Sequence, residues 1–313
     1  VSWARHVYKR QVEIWEGHEA EQLVFEAGRL QGLRVRDRST NSIRMVTSEH
    51  FLLAAGALAT PVLLERSALG GRSGELGRNH MCHLGALAIA VFRRSIGADE
   101  TFLKRLGLSD FYLGTPEHPV KLGSAQSIPV PGPLSLRKQS RLPLPTGLAR
   151  ALQARTLLVA GYIEDVPQAS NRVRAGRDGG LRLDRHFDAF DLKRGRLLSR
   201  ALANTMRGAG ARLVVPWVAR DDRDHLAHQV GTCRAGPDPR TAVVDGWGRL
   251  HGEDRIWVVD GSVFPTSLGV GPALTIAANA LRVADQILGL PGRSSRRIDS
   301  ETRPAADEPA AAR

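Results

Sequence analysis

An unbroken apolar run, Phe51-Leu52-Leu53-Ala54-Ala55, leads into the small-residue turn Gly56-Ala57-Leu58-Ala59 and then into Thr60-Pro61. This junction constrains the fold more than any other stretch of the chain. A continuous apolar pentapeptide reads as a buried strand of the kind found in parallel sheets. Thr60 is the expected N-cap and Pro61 the first helical residue, with Val62, Leu63 and Leu64 following and Gly70-Gly71 closing the helix. A strand, a turn of small residues and a helix start let a backbone approach a ligand closely, although the same pattern also describes an ordinary tight turn. From Phe51 to Leu64 the apolar stretch is shorter than the roughly 20 residues a bilayer span needs, so no membrane helix is expected.

The preceding residues alternate as β structure does. Gln11 to Trp15 reads as a short strand, and Met45 to Glu49 as another. Gln22 to Phe25 and Leu30 to Val35, joined by Glu26-Ala27-Gly28-Arg29, read as a hairpin. Proline-rich loops are expected from Ser127 to Pro145, and a strand over Thr156 to Ile163. A second hairpin is expected for Asn171–Val173 and Leu181–Leu183 around Asp178-Gly179-Gly180, and a helix from Leu197 that ends at Gly208 or Gly210. Arg255 to Val259 is an apolar strand ending in Asp260-Gly261. Ala273 to Leu288 is a helix between Pro272 and Gly289. Pro291 to Arg313 is rich in Arg, Glu, Pro and Ala and is expected to be disordered.

Composition narrows the class of function. The 313 residues carry a net charge of +12, a signal often linked to nucleic acid. Only five of the basic residues are Lys, however, and the acid-free stretch from His118 to Ile163 reads as a solvated surface, so no nucleic-acid partner is expected. Two cysteines, Cys82 and Cys233, have no metal-ligand spacing and make no disulfide framework, although one bridge remains open. They fit a reducing, cytoplasmic setting, and no metal is expected.

The terminal third carries a more specific signal. His228-Gln229-Val230-Gly231-Thr232-Cys233-Arg234, Asp238 to Asp245, Gly248 to Gly252, Trp257 to Ser267 and Pro272-Ala273-Leu274-Thr275-Ile276 resemble, in order, the C-terminal region of the glucose–methanol–choline (GMC) flavin oxidoreductases. Gly56 to Gly70 resembles the second signature of that family, with Ala68 where Gly is usual. Leu76 to His83, Glu164-Asp165-Val166-Pro167 and Asn171-Arg172-Val173 agree with it.

The resemblance implies an α/β fold: a partial FAD-binding Rossmann-like domain with an inserted α+β substrate domain built on an antiparallel sheet. The expected division is 1–87 and 221–290 for the FAD side, 88–220 for the substrate side and 291–313 for the tail. The Gly-x-Gly-x-x-Gly turn that opens the family is not found, so the chain is expected to be a fragment of the full enzyme, or else an inactive remnant or a half-protein that needs a separate N-terminal partner to bind FAD.

The same resemblance implies oxidation of an alcohol, with FAD as hydride acceptor and an unidentified electron acceptor. His228 is the expected acid/base, because removing a hydride from carbon leaves a hydroxyl proton to be taken up and imidazole titrates near neutrality. The family's second His or Asn falls at Gly271, which has neither donor nor acceptor. Another residue compensates, His228 acts alone at a reduced rate, or activity is lost. The FAD-contacting positions implied are Ala20, Ala55, Gly56, Thr60, Asp260, Gly261, Ala273, Leu274 and Thr275, the last three through a helix N-terminus. His80, His83 and His251 are expected to pack, and His225 to lie on the surface.

Overall fold

The computed structural model describes residues 12–98, 104, 106–139, 144–177, 179–219 and 228–290. His225, Asp178 and the 291–313 tail lie outside the described residues. The chain opens with an antiparallel meander of β1 (His18–Glu26), β2 (Arg29–Asp37) and β3 (Ile43–Val46). Ala27 (φ 49) and Gly28 (φ 76) form the two-residue turn of the β1–β2 hairpin, and two successive left-handed residues match the right-handed twist of its strands. Two expectations shift here. Residues 12–15 are not a strand, and β3 ends at Val46, before Glu49.

β4 (Phe51–Leu53) leads into α1 (Gly56–Arg66). The helix starts four residues before the expected Thr60 cap, and Pro61 sits inside it. Proline lacks the N–H that would bond Ala57 O one turn back, and Thr232 Oγ1 donates to that carbonyl at 2.7 Å instead. Leu52 is half exposed, so β4 is covered on one face only.

The central part begins with β5 (Leu84–Val91), β6 (Gly107–Leu108) and β7 (Gly123–Ile128). One short helix, α2 (Pro133–Gln139), falls within the stretch 127–145 expected as loops, and a second, α3 (Thr146–Arg155), begins just after it. β8 (Thr156–Ile163) follows, then the hairpin β9 (Arg172–Ala175) and β10 (Leu181–Asp184), the helix α4 (Ala189–Gly208) and β11 (Leu213–Val218). The sheet order is β11-β5-β8-β7-β6, antiparallel throughout. Ala86, Ala88 and Ala90 project from one face of β5 with period 2, and α4 lies on that face through Leu198, Leu202, Ala203 and Met206. Full burial of each leucine contributes about 2 kcal/mol.

β12 (Ile256–Val258) returns to pair in parallel with β4, Phe51 opposite Ile256 and Leu53 opposite Val258. The last helix, α5 (Ala273–Ile287), follows a short 3-10 turn at Gly261–Val263. A second core joins the meander, β4, α1 and β12 through Leu23, Phe51, Leu64, Val244, Ile256 and Val258.

Candidate active site

His228 stands in a loop stitched to three elements. Val230 exchanges backbone hydrogen bonds with Met81 at 2.9 and 3.0 Å, Thr232 reaches α1, and Cys233 N donates to Ser262 O at 2.8 Å. The backbone of His228 is left-handed (φ 63), which non-glycine residues adopt rarely and which needs holding from outside. Its ring packs edge-on against His83 at 5.0 Å between centroids and lies 5.5 Å from Tyr162. Burial, and secondarily the charge of Lys104, lowers its pKa below the ordinary imidazole value. The ring is therefore neutral at pH 7 and able to accept a proton. Nδ1 is buried with no partner among the described residues.

His83 is more than packing. Nδ1 lies 3.2 Å from Ile163 O and Nε2 3.2 Å from Val270 O, so the ring stands between the end of β8 and the loop that carries Gly271 and, when neutral, donates to one of the two carbonyls. Burial, followed by the charge of His228, pushes its pKa down to about 4, which outweighs the two carbonyl contacts. Tyr162 was not singled out from sequence. It accepts a hydrogen bond from Gln126 Nε2 at 2.8 Å, leaving its own O–H to donate, and its only sequence signal is an aromatic near the end of a predicted strand. His80 contacts Gln229 Oε1 at 3.1 Å, and His251 contacts Gly236 O at 3.0 Å.

Gly271 lies directly against His228. A Cβ there would sit 3.2 Å from His228 Nε2 and 3.4 Å from Cε1. The chain then turns through Pro272 into α5, so the imidazole and the N-terminus of that helix are neighbours.

The positions implied for FAD divide into two sets. Asp260 and Thr60 face inward: Asp260 Oδ2 accepts from Gly56 N at 2.8 Å and from Thr60 Oγ1 at 2.5 Å, while Oδ1 accepts from Ser262 N at 2.8 Å. Gly261 is closed in as well, since a Cβ would meet Gln229 O at 3.0 Å and Ile276 at 3.3 Å. These residues brace the frame. Ala55, Gly56, Ala273, Leu274 and Thr275 face outward. A Cβ at Gly56 would meet nothing within 4 Å, and α5 begins with no side-chain cap and with Leu274 86% exposed. Open ground before one helix and free N–H groups at another fit a large anionic cofactor. Ala20 lies apart from both, on the meander. That sheet meets the C-terminal end of α1 through Leu23 N and Ser67 Oγ, about 16 Å along the helix from Gly56.

Several known proteins are similar to this chain in sequence or in fold. Paromamine 6'-oxidase of Streptomyces fradiae is 30% identical over 280 residues, covering 81% of this chain and 48% of the relative. 6'''-Hydroxyparomomycin C oxidase of Streptomyces lividus is 29% identical over 284 residues, covering 83% and 48%. Among solved structures, pyridoxine 4-oxidase from Mesorbium loti superposes with a TM-score of 0.63 at 21% identity, covering 87% of this chain and 57% of that one. A formate oxidase superposes at 0.65 with 15% identity, covering 87% and 60%. Two GMC oxidoreductase family profiles match residues 1–85 and 167–280, together more than half of the sequence. With those matches, and with a fold its solved neighbours share, the chain belongs to the GMC oxidoreductase family.

Proposed function

We propose that the protein oxidises an alcohol with FAD, and that His228 takes up the hydroxyl proton. The observation that carries the reading is a neutral, half-buried His228 held against Gly271 at the approach to the uncapped N-terminus of α5. Withdrawing a hydride from the carbinol carbon makes its O–H strongly acidic, and a positioned neutral imidazole lowers the barrier by accepting that proton. Gly56 and Ala273–Thr275 would hold FAD, which would supply the hydride acceptor when bound. Tyr162 lies 5.5 Å from the imidazole between ring centroids with an O–H available to orient a substrate oxygen, a role that would compensate in part for the missing side chain at 271. In this reading residues 1–87 and 221–290 form the FAD side, and 88–220 the substrate side.

The chain spans about half the length of the curated relatives it matches, 48% in each of the first two. A second reading is that it binds FAD only together with a separate N-terminal partner. Leu52 is half exposed on the two-stranded β4–β12 sheet, and Leu274 and Leu281 are exposed along α5, as is Leu288 just beyond it. Parallel strands of this kind ordinarily have both faces covered.

The test is anaerobic flavin reduction by primary and secondary alcohols in the complete protein. His228→Ala should abolish alcohol-dependent bleaching while leaving FAD bound, and wild-type turnover in that variant would remove His228 from the reaction. Flavin uptake by this chain alone would decide against the second reading.

A further inference from the structure

We propose that the buried Asp165–Arg185 pair positions His228, acting through the ring of His80 and the side-chain amide of Gln229. Both charged side chains are 1% exposed, and Arg185 Nη2 lies 2.8 Å from Asp165 Oδ2. The guanidinium grips the carbonyls on either side of Met81, His80 O and Cys82 O, each at 3.2 Å. Cys82 N donates to Asp165 Oδ2 at 3.1 Å. Met81 is the residue that pairs with Val230, so the ion pair holds the rail on which the His228 loop runs. Asp165 N also donates to Ser267 Oγ at 2.7 Å, at the start of the loop leading to Gly271.

A chemical argument carries the coupling further. Arg185 Nη1 lies 3.4 Å from His80 Nδ1, and a guanidinium has donors only. Nδ1 therefore presents a lone pair, and the ring proton sits on Nε2. Nε2–H donates to Gln229 Oε1 at 3.1 Å, which fixes which end of that amide is oxygen. Gln229 directly follows His228, whose left-handed backbone depends on such anchoring. The charged group facing His80 is Arg185, itself neutralised by Asp165. Burial and then the Arg185 charge hold His80 neutral, against the Gln229 contact, with its pKa lowered to about 4.

The positioning role rests on the reading of His228 as the reacting group, whereas the tautomer does not. In the full chain labelled with 15N-histidine, long-range 1H–15N correlation should show His80 as the Nε2–H tautomer from pH 8 down to about pH 5. Arg185→Met should mix the tautomers and raise the pH at which His80 titrates. Gln229→Leu should shift the His228 ring signals, and Gln229→Glu, which still accepts from Nε2–H, should restore them. In the complete enzyme Gln229→Leu should lower kcat by about tenfold with KM nearly unchanged. An Nδ1–H tautomer, or His228 signals unmoved by Gln229→Leu, overturns the proposal. If Arg185→Met does not fold, the Gln229 pair decides. Full activity in His228→Ala would instead overturn the reading of the reaction and leave the tautomer result standing.

Discussion

At the scale of single residues, Gly271 determines how much room His228 has. From the family pattern alone, restoring Asn or His at 271 is expected to raise activity if the missing partner limits the rate, and to leave it unchanged if another residue compensates. The geometry argues for the opposite outcome, because a Cβ would meet Nε2 at 3.2 Å, so the imidazole must give by a few tenths of an ångström with His83 and Tyr162 around it. Gly271→Ala and Gly271→Asn should each lower kcat/KM by about tenfold through displacement of the imidazole. A gain with Asn would mean that the missing partner limits the rate and the ring can yield. Because burial lowers the His228 pKa, its base form persists below pH 6.5, so the acid limb of kcat/KM should fall at a lower pH than for free imidazole.

Two junctions dominate at the scale of elements. The β4–α1 turn is held by a carboxylate two hundred residues away: Asp260 Oδ2 accepts from Gly56 N and from the fully buried Thr60 hydroxyl. Thr60→Val leaves that buried oxygen short of a donor and should cost about 1–3 kcal/mol, read from the urea midpoint at pH 7. The second junction is the close approach of α4 to its sheet. At Gly195 a Cβ would meet Leu84 Cδ2 at 2.8 Å and Val218 Cγ1 at 3.0 Å. Gly195→Ala gains about 1 kcal/mol of helix propensity but overpacks a closed core at about 1–3 kcal/mol. The variant should be less stable, and a raised Tm would show that Leu84 yields freely.

Across the whole molecule, buried titratable groups set the response to acid. The pKa of His83 is lowered from 6.5 to about 4, so the unfolded chain takes up a proton first. The stability from keeping it neutral is complete above pH 6.5 and lost as pH falls through 4. Asp165, raised to about 6 chiefly by burial, acts in the opposite sense and favours folding as pH falls below 6. His83→Gln should therefore lose about 2–3 kcal/mol less than wild type between pH 7 and 4.5 in urea titrations. Equal losses would mean that His83 is protonated in the folded state. Among the described residues, no helix is long and apolar enough to cross a membrane.

Local pattern determined a good part of this protein from sequence. The Ala27-Gly28 turn, strand Thr156–Ile163, the hairpin that follows it and the last helix follow from nearest-neighbour chemistry: turn residues, β-branched runs and helix stops act within a few positions. His228 could be singled out from sequence because the motif around it is contiguous. The start of α1 was not, since the group that accepts Gly56 N–H comes from Asp260 rather than from a neighbouring cap. Tyr162, His83 and Arg185 carried no local signal of their roles, because each acts on a partner more than sixty residues away. Which carboxylate braces, which glycine makes room and which histidine stays neutral are properties of burial and of distances across the chain. Those exist only once the sheet, the α1 turn and the loops at His228 and Gly271 have packed together.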